Sequence, residues 1–154
     1  MSSFGEIGLY LCPNFDYPTY ASTPSNSATF ASTGGDGVHF GFLFGDEFDV
    51  VEAPIVMTVP MNFDLPNVIV GGNLEEFLSL GCRTGYFSLE QIVYDPKSTI
   101  LELQTGEFYP DTTEDEIELL NLISTEFDSR PWHHPEERLE QLRTQYHALL
   151  EFQD

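Results

Sequence analysis

Four groups of side chains in this sequence have types and spacings that could do chemistry. The first is Asp46, Glu47, Asp49 and Glu52, hard oxygen donors of the kind that hold Ca²⁺. In a metal-dependent enzyme they would act with His39 or His133. Their spacing departs from the calcium loop, in which acidic residues alternate and a Gly takes the sixth position, and a solvated turn between strands suits them better. The second is His133-His134-Pro135-Glu136-Glu137. Adjacent histidines point apart on most backbones and the HExxH spacing is absent, so a surface segment leading into a helix is expected. The third is Cys82 beside Arg83, where a positive neighbour would lower the thiol pKa. No base lies near it in sequence, and no GxSxG elbow offers another nucleophile. The fourth, Gly34-Gly35-Asp36-Gly37, looks like a phosphate cradle but lacks the P-loop lysine and a following helix. A hairpin turn is the reading it supports.

The strongest polar feature is spread over the whole chain. Among 154 residues there are 26 Asp plus Glu against one Lys and four Arg, a formal net charge of −21. The first basic residue is Arg83, so residues 1–82 hold ten carboxylates and no Lys or Arg. Between Glu102 and Asp128 nine carboxylates again occur without a cation. Phosphate backbones and anionic lipid are bound by cations that displace counterions, so neither nucleic acid nor a membrane surface is an expected partner. Crowded like charges cost stability, which points to a use outside the fold, whether solubility or attraction of a basic protein.

The length suits one domain, and an apolar content of 41% with 13 Phe and 7 Tyr excludes a disordered chain. No stretch approaches the roughly 20 apolar residues of a membrane helix, and the first residues lack the charged start and apolar run of a signal peptide. Cys12 and Cys82 form neither a disulfide framework nor a zinc spacing. Two reduced thiols in the cytoplasm are expected.

Strands come first and helices later, the order of an α+β fold: a mostly antiparallel sheet with helices packed on one side. Residues 12–27, with Pro13, Pro18 and Pro24, read as a loop. Residues 28–32 and 38–44 read as a hairpin, with Val38, Phe40, Phe42 and Phe44 on one face and His39, Gly41 and Leu43 on the other. A strand over 54–60, bounded by prolines, is expected near a sheet edge, and Val68-Ile69-Val70 forms another. Asn73 and Glu76 mark a helix start and Gly81 its end. Ser88-Leu89-Glu90-Gln91 starts a short helix that stops before Pro96. The helical C-terminal part begins at about 113 with the capping box Thr113-Glu114-Asp115-Glu116, followed by Ile117, Leu120, Ile123 and Phe127 at helical spacing. Pro135 opens the last helix, whose stripe is Leu139, Leu142, Tyr146, Leu149 and Leu150.

The segment Phe30-Ala31-Ser32-Thr33-Gly34-Gly35-Asp36-Gly37-Val38-His39-Phe40, with Val68-Ile69-Val70 leading into Leu74-Glu75-Glu76-Phe77-Leu78, resembles the SUKH superfamily of SMI/KNR-like proteins over residues 28–80. The family's N-terminal helix with its Leu-Pro signature has no counterpart in residues 12–27, and no family motif maps beyond residue 96. The resemblance implies a SUKH-like α+β fold and a bacterial immunity role, in which the protein binds and blocks a polymorphic toxin, often a basic nuclease. It carries over no catalytic residue and no cofactor.

Charge and resemblance together lead to the expectation of a cytoplasmic, non-enzymatic module that binds a basic protein. Asp46, Asp49, Glu114, Asp115 and Glu118 would meet the partner's Lys and Arg, with Tyr109 and Trp132 as aromatic anchors. Two alternatives stand beside it: a metal-dependent enzyme built on the carboxylates of residues 46–52, and a regulatory adaptor that senses a small molecule in a pocket beside the sheet.

Overall fold

Phe40 and Phe42, Ile55 and Met57, and Val68 and Val70 alternate along three neighbouring strands and turn their side chains toward one core. Period-two alternation of this kind is what a strand buried on one face requires. The computed structural model describes residues 3–45 and 49–153. Its five strands are β1 (Tyr10–Leu11), β2 (Ser27–Ser32), β3 (His39–Leu43), β4 (Ile55–Thr58) and β5 (Asn67–Gly71). They lie in chain order, each antiparallel to the next. The hairpin over Gly34–Gly37 and the loop over residues 12–27 are where the sequence puts them, whereas the two-residue β1 has no strong signal of its own. β4 is not at an edge. It pairs on both sides, and Pro54 and Pro60 lie just outside it, where no ladder bond is needed.

A bulge in β2 changes the expected alternation. Thr29 pairs with Gly41 and Ala31 with Phe40, which leaves Phe30 as an extra residue. Phe30 and Ala31 therefore both reach the main core. The Phe30 ring lies 4.5 Å from Phe42 and meets Phe77 edge-on at 6.0 Å. Phe77 also packs on Phe40 at 4.8 Å and on Tyr86 at 5.3 Å. Aromatic pairs at such distances contribute about 0.5–1.5 kcal/mol each beyond their burial.

Five α-helices follow: α1 (Leu74–Leu80), α2 (Gln91–Tyr94), α3 (Pro96–Thr105), α4 (Glu114–Phe127) and α5 (Pro135–Tyr146). Asn73 caps α1 by accepting the Glu76 N–H at 2.8 Å. The helix marked by Asn73 and Gly81 and the one opened by Thr113 are both present, whereas α3 has no counterpart among the expected elements. Pro96 both halts α2 and occupies the first turn of α3, which Asp95 caps. One proline can do both, because it lacks the N–H that an interior turn needs and a first turn does not.

The fold is α+β as expected, but the helices do not all share one side. Phe77 and Leu78 of α1 and Leu119, Leu120 and Ile123 of α4 join the main core. Leu142 of α5 instead packs on Val56 and Ile69, which alternation directs to the opposite face. Leu139 of the same helix still touches the main core, so α5 lies against β5 and reaches both faces. The reason is visible in composition: the second face of β4 and β5 carries Val56 and Ile69, apolar groups that need a cover of their own.

Candidate functional site

Helix α4 displays the acidic residues most clearly. Thr113 Oγ1 accepts the Glu116 N–H at 3.2 Å, and Glu116 Oε1 accepts the Thr113 N–H at 3.3 Å, closing the capping box. Glu114 and Asp115 share that first turn, where the helix dipole favours negative charge, and Glu118 follows one turn on. All three are exposed. Leu119, Leu120 and Ile123 are buried, while Leu122 faces outward at 49% exposure.

Leu122 is not isolated. Together with Leu119 it lines a depression of about 380 Å³ shared with Phe4, Leu9, Tyr10 and Leu11. The same two leucines line a second depression, of about 530 Å³, shared with Asp115, Glu118 and Asn121. Tyr10 and Leu11 of β1 are 51% and 63% exposed, and β1 closes the sheet order at its end of the sheet. The result is an apolar strip bordered by carboxylates, the plan of a protein interface with an apolar centre and a charged rim. Asp115 and Glu118 are brought to it. Tyr10, Leu11 and Leu122 are missing from the sequence reading, although Leu122 carried a signal: it is a leucine on the side of α4 away from Leu120 and Ile123.

The other expected site residues lie elsewhere. Asp46 is outside the described residues. Asp49 sits in the connection between β3 and β4, where its Oδ1 accepts the Glu52 N–H at 3.1 Å. Tyr109 is half-buried, its hydroxyl donating to Glu102 Oε2 at 2.8 Å and lying 3.1 Å from Ser88 Oγ. Burial, then the nearby Glu102, pushes that hydroxyl's pKa up. Trp132 is half-buried against both apolar clusters and donates its indole N–H to the Glu76 carbonyl at 2.9 Å. Both aromatic groups are thus engaged in internal contacts.

Cations are few and partly committed. Arg138 meets the Glu76 carboxylate with two N–H groups, at 2.7 and 2.9 Å. Arg83 lies over the Phe108 ring at 5.3 Å and donates to the Cys82 carbonyl. Among the described residues the ion pairs are Arg138–Glu76 and the exposed Arg130–Asp128. Among the described residues no ion pair involves Glu114, Asp115 or Glu118.

Among the described residues no group of three or more His, Cys, Asp or Glu is placed to hold a metal ion. Cys82 is fully buried, and desolvation pushes its thiol pKa up against the lowering effect of Arg83, opposite to an activated nucleophile. His133 and His134 are exposed. His39 is buried on the second face of the sheet, where its Nε2 lies 3.0 Å from Thr23 Oγ1. Among the described residues no helix is long and apolar enough to cross a membrane. Set against known family models, curated proteins and solved structures, the chain matches none.

Proposed function

We propose that this protein is a non-catalytic module that captures a basic protein, most specifically an immunity protein that covers the cationic nucleic-acid-binding face of a nuclease-type toxin inside the cytoplasm. The observation that carries the reading is the apolar strip of Tyr10, Leu11 and Leu122 bordered by Asp115 and Glu118. Leu122 and its neighbours offer area for desolvated contact, which sets the lifetime of a complex. The carboxylates, within a chain of net charge −21, attract a cationic surface from a distance and can raise its rate of capture by about 10–10³-fold. The likeness of residues 28–80 to the SUKH superfamily supports the immunity role in particular.

The test is a pull-down from cells that make candidate toxins, followed by affinity measurement on the retained protein. A basic protein is expected, bound at least tenfold more weakly at about 0.5 M salt than at 0.05 M, because such pairs are screened. Leu122→Asp and the pair Asp115→Lys/Glu118→Lys are expected to abolish capture. Glu136→Gln/Glu137→Gln on α5 is expected to retain it. Salt-independent binding, or binding unaffected by Leu122→Asp, would overturn the assignment.

A further inference from the structure

A second concave surface lies beside β2 and has a different chemistry. The loop over residues 12–27 folds back over β2 and leaves a groove of about 650 Å³, within the usual range of small-molecule sites, about 300–1,000 Å³. Phe15, Tyr17 and Tyr20 line it, with Thr19, Ser25 and Gln153 among the polar groups. Among the described residues no carboxylate and no cation lines it, in a protein whose net charge is −21.

The groove is built rather than incidental. Asn14 and Phe15 have φ angles of 57° and 58°, a left-handed pair that is rare for residues other than glycine and must be held by surrounding contacts. The turn places the Phe15 ring edge-on against Phe42, at 6.3 Å, while leaving half of the side chain exposed. Tyr20 stacks on His39 at 5.8 Å with an interplanar angle of 19°. It also fills the space beside Gly37, where an added Cβ would lie 2.8 Å from the Tyr20 hydroxyl. Both rings are fixed before any ligand arrives, which lowers the ordering cost of binding.

The floor is satisfied and neutral. His39 Nδ1 lies 2.7 Å from the Gly37 carbonyl and so carries the proton, leaving Nε2 to accept from the Thr23 hydroxyl at 3.0 Å. Thr23 Oγ1 in turn accepts the Tyr20 N–H at 3.0 Å. The far wall is pinned as well: the Ser25 N–H donates to the Glu151 carbonyl, and the Glu151 N–H donates to Asn26 Oδ1 at 3.0 Å. Gln153, two residues on, lines the groove and is exposed.

A ligand matched to this surface has a flat face of C–H groups for the rings, hydroxyls for Thr19, Ser25 and Gln153, and no charge. A pyranose has all three. We propose that the groove binds a neutral saccharide, with Phe15 and Tyr20 as stacking platforms and the hydroxyl and amide groups reading the sugar's hydroxyls. The site is separate from the α4 surface, and its occupancy requires no protein partner.

The experiment is an NMR titration of the full chain with methyl β-glucoside, N-acetylglucosamine and cellobiose, with phenol as the apolar comparator. Saturable shifts confined to residues 13–29 and 149–153 are expected for at least one sugar, at concentrations up to about 50 mM, the range of weak single-site binding. Phe15→Ala is expected to weaken that binding at least tenfold. Gln153→Ala, at an exposed position, is expected to weaken it severalfold without touching the core. Three results would overturn the proposal: no saturation by any of the sugars, saturation by phenol alone, or sugar binding unchanged in both variants.

Discussion

The indole of Trp132 and the backbone of Glu76 are joined by a 2.9 Å hydrogen bond that fastens the connection between α4 and α5 onto α1. The same ring packs against the apolar clusters on both faces of the sheet. Trp132→Ala is therefore expected to lower the unfolding free energy by about 3–5 kcal/mol. Trp132→Phe, which keeps most of the packing and loses the N–H donor, should cost about 1–3 kcal/mol. Urea titration distinguishes the two. A loss below about 1 kcal/mol for the alanine variant would mean that the indole is no structural anchor.

Glu76 receives more than the indole. Its carboxylate accepts two N–H groups of Arg138 and the Gly72 N–H, so one side chain links α1, α5 and the turn that follows β5. Glu76→Gln keeps the shape and loses the charge. It is expected to cost about 1–2 kcal/mol, discounted because both partners are about a third or a quarter exposed. Arg138→Met should cost a similar amount, and the double variant less than the sum of the two. Strict additivity in that cycle would show that the contact carries no coupling.

His39 supplies a pH dependence whose sign follows from its burial. Desolvation lowers its folded-state pKa below the ordinary value of 6.5, partly opposed by the Gly37 carbonyl. The unfolded chain therefore takes up the proton first. Stability is complete above about pH 6.5 and declines as the pH falls from there toward the depressed folded value, with a slope of up to about 1.4 kcal/mol per pH unit. His39→Gln is expected to remove this decline between pH 7 and 5, although it also weakens the Thr23 contact. Thermal melts across that range, compared with the parent chain, are the check.

Two glycine pairs look alike in the sequence and differ in the fold. An added Cβ at Gly71 would lie 2.7 Å from the Phe77 backbone nitrogen, whereas one at Gly35 would meet nothing within 4 Å. Gly71→Ala is expected to cost about 2–3 kcal/mol through backbone displacement. Gly35→Ala should stay within about 0.5 kcal/mol of the parent. Equal melting temperatures for the two variants would contradict the close approach of α1 to β5.

The Ser129 hydroxyl is buried and has no hydrogen-bond partner among the described residues. Removing an unsatisfied polar group relieves its desolvation cost, so Ser129→Ala is expected to be neutral or to stabilise by up to about 1 kcal/mol. A clear destabilisation in denaturant would reveal a partner for that oxygen.

What the sequence made legible follows from the range of the forces involved. The hairpin at Gly34–Gly37 and the caps of α1 and α4 arise from neighbours within a few residues, and Asn73, Thr113 and Glu116 announce them. The bulge at Phe30 is not announced, since the residue is displaced by its competition with Ala31 for one core. The opposite placement of α5 depends on Val56 and Ile69 meeting Leu142, contacts across more than 70 residues. The acidic half of the α4 surface could be read from composition. Its apolar half could not, because Tyr10, Leu11 and Leu122 become neighbours only when β1 and the N-terminal turn settle beside α4. Tyr109 and Trp132 are attractive anchors by type alone, but each spends its polar group on an intramolecular hydrogen bond.

Asn26 grips the end of the chain, donating to the Leu149 carbonyl at 2.9 Å and accepting from the Glu151 N–H, and Leu142 completes the cluster on the second face. Translation proceeds from the N-terminus, so all five strands emerge before the segments that shield one side of them. A nascent chain halted near residue 130 would carry the main core with Val56 and Ile69 still wet. Such a chain is a natural substrate for chaperones, and termination between residues 130 and 142 should be as damaging as an error in the sheet itself.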